Sequence, residues 1–344
     1  MRRLSRDLIH TAMRGAGAAR LFRHLHQNKI LIVMYHAVID GGRDYNQWTH
    51  LRQDKFAWQV AYLKKHFNLM SLTELLLRVR DGAKLPPNPA VITFDDGFQN
   101  VYTNAYPILR KFGAPATVFL ATGHIDTDTT CWPERLFLAL RTSRVHELNM
   151  EDFGLESYAL ASVPARDAAF DRLCGPLKAM EAVEKNHILA EILSRLRQRP
   201  GMEPKFSADF RMLTWREIEV MNESGLIDFG GHTVNHEILS RMPRAEQQRE
   251  IEESCDTLRK RLGVEHITFA YPNGKTTDFN SDTKDILRKV GALCGLSTIE
   301  GLCEPTDDPY ALKRIGVGCN MTPQRFALLC SGFLPRLKAS LSAR

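Results

Sequence analysis

Two adjacent aspartates at the end of a buried strand constrain this chain more than any other feature. In Val91-Ile92-Thr93-Phe94-Asp95-Asp96-Gly97-Phe98, β-favouring residues run into two carboxylates, and a glycine then frees the backbone to turn. A helical pattern starts at about Asn100. In a parallel α/β architecture the carboxyl ends of strands gather polar chemistry, and two consecutive acids there need a cation or a proton if they are to be buried. Asp-Asp-Gly is also ordinary turn chemistry, so alone the segment is more often an exposed loop.

A second cluster favours the metal. Gly230-Gly231-His232-Thr233-Val234-Asn235-His236 follows a short apolar strand, Leu226 to Phe229. Histidines four apart at a strand end can turn both imidazoles to one point, and with one carboxylate they form a two-histidine, one-carboxylate site with open positions for water. Imidazole ligands favour zinc first, with cobalt, nickel or manganese as alternatives, over magnesium.

The chain's 344 residues, 44% of them hydrophobic, accommodate two average domains or one barrel with an insertion. No apolar run approaches the roughly 20 residues of a membrane span, and arginines interrupt residues 1–29 where a signal peptide would need an apolar core. The expected location is therefore cytoplasmic. The seven cysteines are scattered, with no Cys-x-x-Cys pair, which excludes a disulfide framework and a zinc ribbon and predicts buried thiols. The net charge of +6 does not indicate nucleic acid, because the whole excess sits in the first 29 residues, where Arg2, Arg3, Arg6, Arg14, Arg20, Arg23 and Lys29 face only Asp7. Leu4, Leu8, Ile9, Met13, Leu21 and Leu25 follow helical spacing there. Such an arm either packs on the domain with its arginines in water, the favoured reading, or touches anionic lipid at the inner face of the membrane.

Along the chain, strands and helices alternate as in a parallel sheet or barrel. Lys29 to Tyr35 reads as a strand buried on both faces that delivers His36 at its end. Asp54 to Phe67 and Ser71 to Arg80 read as helices, the second opened by a Ser71 and Glu74 capping box. Val101 to Lys111 is predicted helical and Ala116 to Leu120 a strand. From about 133 to 212 only helical patterns appear, which predicts a helical insertion without strands. The alternation then resumes. A Thr214 and Glu217 capping box opens a helix to Asn222, and Pro243 starts a long helix ending near Gly263. Strands are expected at Ile267 to Tyr271, Leu293 to Thr298 and Tyr310 to Val317, with helices at Asp282 to Val290 and from Pro323. The predicted organisation is a basic arm at 1–28, a body at 29–335 and a tail at 336–344.

With ITFDDG, GGHTVNH and Phe269-Ala270-Tyr271-Pro272-Asn273-Gly274 in that order, together with the MYHAV segment and the GAPATVFL strand, the chain resembles the polysaccharide deacetylase superfamily. Its members include chitooligosaccharide and poly-N-acetylglucosamine deacetylases. The resemblance implies a distorted (β/α) barrel, a divalent metal that is usually zinc, and hydrolysis of an N-acetyl or related acyl group from a sugar. Position by position, Asp95 matches the catalytic base, and Asp96, His232 and His236 match the metal ligands. A carboxylate free of the metal can take a proton from water whose pKa the metal has lowered. Anchoring on Pro272 assigns the backbone oxyanion donor to Asn273.

Two departures from the family pattern matter. Where many members carry an arginine that pairs with the base, this chain has Ala270, and Arg314 in LKRIGV is the candidate substitute, with a surface or structural role equally open. No histidine follows His266 to serve as the family's late general acid, and Tyr35-His36 matches an N-terminal Tyr-His strand of a circularly permuted branch, so His36 is the expected acid. Trp132 and Glu134, on a loop expected to overhang the site, and Tyr271 and Pro272 are candidates for binding sugar, although a tryptophan at a helix start also packs on a barrel. His50, His66, His124, His146 and His187 lack partner spacing and read as structural or exposed. The expected partner is an N-acetylated sugar or glycan intermediate. Two other functions stay open: a related barrel amidohydrolase acting on a non-carbohydrate C–N bond, and a catalytically silent glycan-binding protein.

Overall fold

The computed structural model describes residues 17–41, 47–196 and 208–333. Seven parallel strands form a closed barrel. The first, β1 (Leu31–Tyr35), is followed by a small parallel pair outside the barrel, β2 (Ala37–Ile39) and β3 (His50–Arg52). The two-residue β4 (Asn68–Leu69) pairs with the start of β5 (Pro89–Phe94), and β6 (Ala116–Leu120) follows. A short antiparallel hairpin, β7 (Glu147–Asn149) and β8 (Ser157–Ala159), lies apart from the barrel. The barrel is completed by β9 (Ile227–Gly231), β10 (Thr268–Ala270), β11 (Cys294–Glu300) and β12 (Leu312–Gly316). Around it the order is β1, β12, β11, β10, β9, β6, β5, and β1 closes the ring by pairing with β5 from Leu31↔Ala90 to Tyr35↔Phe94.

Closure explains the sequence pattern. Every residue of β1, β5 and β6 is buried, because each strand faces the barrel interior on one side and helices on the other. The surrounding helices end where their sequences say they should. Thr214 and Glu217 form a full capping box, Gly263 terminates Arg244–Leu262 in the left-handed region, and the Ser71 hydroxyl accepts the Glu74 N–H. Glu74 pairs with Arg78. The predicted helix at Val101 to Lys111 begins as a wider π turn, Val101–Ala105, before continuing as Tyr106–Phe112. In that first turn Asn100 accepts the Val38 N–H at 2.9 Å and Asn104 donates to the Val38 carbonyl at 2.7 Å, which ties it to β2.

Between β6 and β9 the chain leaves the barrel pattern. Helices Trp132–Thr142, Val163–Ala179 and Ala182–Arg195 enclose a separate apolar core that includes Leu136, Leu148, Tyr158, Leu173 and Ile192. The hairpin β7/β8 corrects the expectation of a strand-free insertion. Each of its strands has only three residues, with one buried side chain apiece, too few for alternation to show in the sequence.

The helix Ala18–Leu25 puts Ala18 and Phe22 against Leu328 and Phe333, and His26 Nδ1 lies 2.8 Å from the Ser331 carbonyl oxygen, while Leu21 and Leu25 are exposed. This part of the basic arm packs on the body. Residues 1–16 and the 336–344 tail lie outside the described residues. Among the described residues no helix is long and apolar enough to cross a membrane, and all seven cysteines are free thiols.

The glycine pair that ends β9 is a packing requirement. A Cβ on Gly230 would lie 2.5 Å from the Phe119 ring and 2.6 Å from Thr268 Oγ1, inside contact distance of both neighbouring strands. Gly230→Ala should therefore destabilise the fold by roughly 1–3 kcal/mol through overpacking, measured by denaturant unfolding. Unchanged stability would mean that the strands separate there without cost.

Candidate functional site

The carboxyl ends of the barrel strands converge on one cavity of about 580 Å³. Asp95 and Asp96 leave β5, His232 and His236 leave β9, Asn273 follows β10, and His36 follows β1; all of them line it. Three of these loops hold non-glycine residues in the left-handed region: Asp96 at φ 74°, Thr233 at 64°, His236 at 57° and Asn273 at 59°. Such conformations persist only where surrounding structure imposes them.

Asp95 is held by Arg314. The guanidinium donates two parallel hydrogen bonds, Nη1 to Oδ1 at 2.7 Å and Nη2 to Oδ2 at 2.8 Å, and a third from Nε to the Ser297 carbonyl at 2.8 Å. Arg314 is completely buried, so it is neither a surface residue nor a solvated partner. Burial pushes the Asp95 pKa up, but the charges of Arg314 and His232 outweigh it and leave the carboxyl below its ordinary value.

Asp96 is shared by the two histidines. Its Oδ1 lies 3.4 Å from His232 Nε2 and 3.2 Å from His236 Nε2. Against the effect of burial, these contacts hold its pKa well below the usual range. His232 Nδ1 lies 2.7 Å from the Ala270 carbonyl oxygen, so Nδ1–H donates there and Nε2 is the nitrogen presented to the site. Burial would lower the His232 pKa, yet the hydrogen bond to Asp96 and the charge of Asp95 carry it above the ordinary imidazole value. This electrostatic setting favours positive charge. Ligand atoms on a tetrahedral ion with bonds of about 2.0–2.1 Å stand about 3.3 Å apart, close to the separation of Asp96 Oδ1 from each histidine nitrogen, so Asp96 paired with either histidine suits a divalent transition metal. Cys131 also belongs to the neighbourhood: its sulfur, an Asp96 oxygen and a His236 nitrogen lie within 4.8 Å of one another.

Of the remaining expected site residues, Trp132 and Glu134 line the cavity from the start of helix Trp132–Thr142. Burial and the charge of Asp96 push the Glu134 pKa up to about 8, and its Oε2 is buried without a hydrogen-bond partner. His36 packs edge-on to Trp48, and its buried Nδ1 likewise has no partner. Burial lowers its pKa more than Asp96 and Asp95 raise it. Tyr271 is not brought to the cavity: it stacks on Phe279 at 4.1 Å and its hydroxyl donates to the Tyr310 carbonyl, because β10 turns that side chain outward onto the helix layer. Pro272 is also absent from the lining. The reading of these two as sugar contacts is corrected accordingly.

Several contributors were not anticipated. Glu250, in helix Arg244–Leu262, accepts the Val234 and Asn235 N–H groups at 2.9 Å each and the Asn235 side chain at 2.6 Å, which fixes the loop between the two histidines. Glu237 forms a buried ion pair with Lys185 of the insertion. Lys178, also from the insertion, donates to Asn273 Oδ1 at 2.9 Å. No local motif announces Glu250, Lys185 or Lys178, since each comes from a distant helix.

The sequence model of the family described as polysaccharide deacetylase matches residues 82–294, more than half of the chain. The poly-beta-1,6-N-acetyl-D-glucosamine N-deacetylase of Staphylococcus aureus (strain MSSA476) is 40% identical over 77 residues, 22% of this chain and 26% of that protein. The Staphylococcus epidermidis protein of the same name is 27% identical over 146 residues, 39% of this chain and 50% of its own length. The matched stretches thus span half or less of these relatives. Among solved structures, Streptococcus pyogenes deacetylase PplD in complex with acetate superposes with a TM-score of 0.58 at 21% identity, covering 88% of this chain and 98% of that one. IcaB from Ammonifex degensii gives 0.56 at 18% identity, covering 88% and 97%. The barrel fold is shared with both.

The Arg314 and Asp95 pair makes a stability prediction. Arg314→Met leaves a buried carboxylate unpaired and should cost about 3–5 kcal/mol at pH 7. Because the folded Asp95 pKa is depressed, the pair's contribution is fully present above the unfolded carboxyl value of about 3.9 and is lost as pH falls through the lower folded value. Unfolding measured across this range should show the parent losing its advantage over the variant only in acid. A variant as stable as the parent at pH 7 would contradict the assignment.

Proposed function

The chain belongs to the polysaccharide deacetylase family, and we propose that it is a metal-dependent hydrolase that removes an N-acetyl group from a sugar of a glycan or glycan precursor. One observation carries the reading: an ionised Asp95, locked by Arg314, shares a cavity with the Asp96, His232 and His236 cluster. Asp96, His232 and His236 would hold the divalent ion, zinc by the softness of imidazole. When bound, such an ion lowers the pKa of water and polarises an acyl oxygen.

The chain's own residues supply the proton chemistry. Asp95 accepts the proton of the attacking water, and Arg314 keeps it ionised and aimed through two fixed hydrogen bonds. The amine leaving group must be protonated as it departs, and His36 is the proposed donor. Glu134 supports a second reading of the same step: its raised pKa keeps its carboxyl neutral at pH 7, so it too can donate a proton. Asn273 lines the cavity as the proposed oxyanion donor, and Trp132 offers an aromatic surface for a sugar ring. The proposed substrate class, N-acetylglucosamine polymers or their precursors, takes support from the names of the staphylococcal relatives. The reading extends to a body at 29–335 working in the cytoplasm, with the described helix of the basic arm packed on it.

Acetate release from N-acetylglucosamine oligomers by the metal-loaded protein tests the activity. Asp95→Asn should lower the rate by roughly 10²–10⁴ and leave metal content unchanged; equal metal loss in Asp95→Asn and Asp96→Asn would reject the division of roles.

The proton donor is identified separately. His36→Ala should abolish most amide turnover and spare an activated ester whose leaving group needs no proton. A donor is effective only while protonated, so if His36 serves, kcat/KM declines as pH rises through a value below the ordinary imidazole pKa of about 6.5. Decline at about 8 instead, abolished in Glu134→Gln, assigns the proton to Glu134.

A further inference from the structure

The insertion helix Val163–Ala179 forms one wall of the cavity: Phe170, Cys174 and Lys178, four residues apart and so on one face, all line it. Lys178 lies in the last turn, half-buried, and its ammonium donates to Asn273 Oδ1 at 2.9 Å. Among the described residues it forms no ion pair. A cation that lines a cavity with Asp95, Asp96 and Glu134 is thus directed at an uncharged amide. We propose that Lys178 is a positioning residue for the reaction: it holds the Asn273 side chain and thereby aims the Asn273 backbone N–H at the acyl oxygen. The inference rests on the reading of Asn273 under Proposed function and adds the residue that fixes it.

Asn273 needs such a hold. Its φ of 59° lies in the left-handed region, which costs a non-glycine residue energy and persists only under outside constraint. Three contacts supply that constraint. The Thr298 hydroxyl donates to the Asn273 carbonyl at 2.8 Å, Nδ2 donates to Asp278 Oδ2, and Oδ1 accepts from Lys178. An ammonium can only donate, and the Asp278 oxygen, which also takes the Lys275 N–H at 2.7 Å, accepts, so the two partners define which end of the amide faces which side. Without Lys178 the amide is held at Nδ2 alone, and the side chain can swing about that point. Among the described residues the Asn273 N–H has no acceptor, so it is available to a ligand. A donor of this kind acts on charge that develops only in the transition state, so its aim governs turnover and leaves substrate binding almost untouched.

Kinetics of acetate release from an N-acetylglucosamine oligomer by the metal-loaded full chain, together with amide hydrogen exchange over residues 271–279, test this. Lys178→Met keeps the stem and removes the donor; it should lower kcat by roughly 10- to 100-fold, up to the effect of a misplaced group, with KM changed less than about twofold. In the same variant the Gly274 and Lys275 N–H groups, which bond to the Pro272 carbonyl and to Asp278, should exchange faster. Asn273→Gly tolerates the left-handed backbone and removes the amide that Lys178 holds, so adding Lys178→Met to it should lower kcat no further. A loss that persists in full in the Asn273→Gly background, or a rise in KM with kcat unchanged, would overturn the proposal, as would unchanged exchange or unchanged turnover in Lys178→Met. A wild type that releases no acetate would remove the deacetylase reading; exchange, which needs no turnover, then upholds or overturns the hold on Asn273 by itself. Lys178→Gln, whose shorter side chain withdraws the donor, repeats the comparison should the methionine variant not fold.

Discussion

A guanidinium and a carboxylate, both removed from water, face each other across the top of the barrel, and the chemistry depends on that contact. Arg314 rises from β12 and Asp95 leaves β5, the two strands that flank β1 where the ring closes. Burying two charges is expensive, and their attraction repays it only with good geometry and with every remaining donor placed. The geometry here is of that kind: a two-pronged match to the carboxylate and a third bond to the Ser297 carbonyl. The pair thus closes the barrel at its functional end and holds the Asp95 pKa below its ordinary value in a setting where burial pushes it up.

Around this pair the site is arranged from outside inwards. The Ala270 carbonyl fixes which nitrogen His232 presents, and Glu250 fixes the strained loop that brings His236 back to the same Asp96 oxygen. The insertion takes part as well: Lys185 pairs with Glu237 beside His236, and Lys178 holds the Asn273 side chain. Polar contacts at and beside the cavity therefore tie the separate core of the insertion to the barrel.

Much of this was legible in the sequence for identifiable reasons. Uninterrupted apolar runs such as Leu31 to Tyr35 mark strands buried on both faces, and the caps at Thr214 and Gly263 place helix ends. The Asp95-Asp96 and His232 to His236 clusters are local in sequence, so their convergence could be anticipated. Arg314 could be suspected only because Ala270 stands where a partner for the base was expected. The hairpin β7/β8 was too short to show a period, and Tyr271 shows the limit of motif proximity, since its neighbour Asn273 lines the cavity while its own ring turns away. Contributions from Glu250, Lys185 and Lys178 depend on tertiary approach and carry no spacing signal.

The central claim is that one cavity both binds a metal through Asp96, His232 and His236 and receives the acyl group of an N-acetylated sugar beside Asp95. A crystal structure of zinc-loaded protein soaked with an N-acetylglucosamine oligomer, recorded at the zinc absorption edge, tests it most directly. The account predicts one anomalous peak bonded to those three residues, with the acetyl group between it and Asp95. An ion bound elsewhere, or a sugar seated with its acetyl group pointing away from the ion, would contradict it.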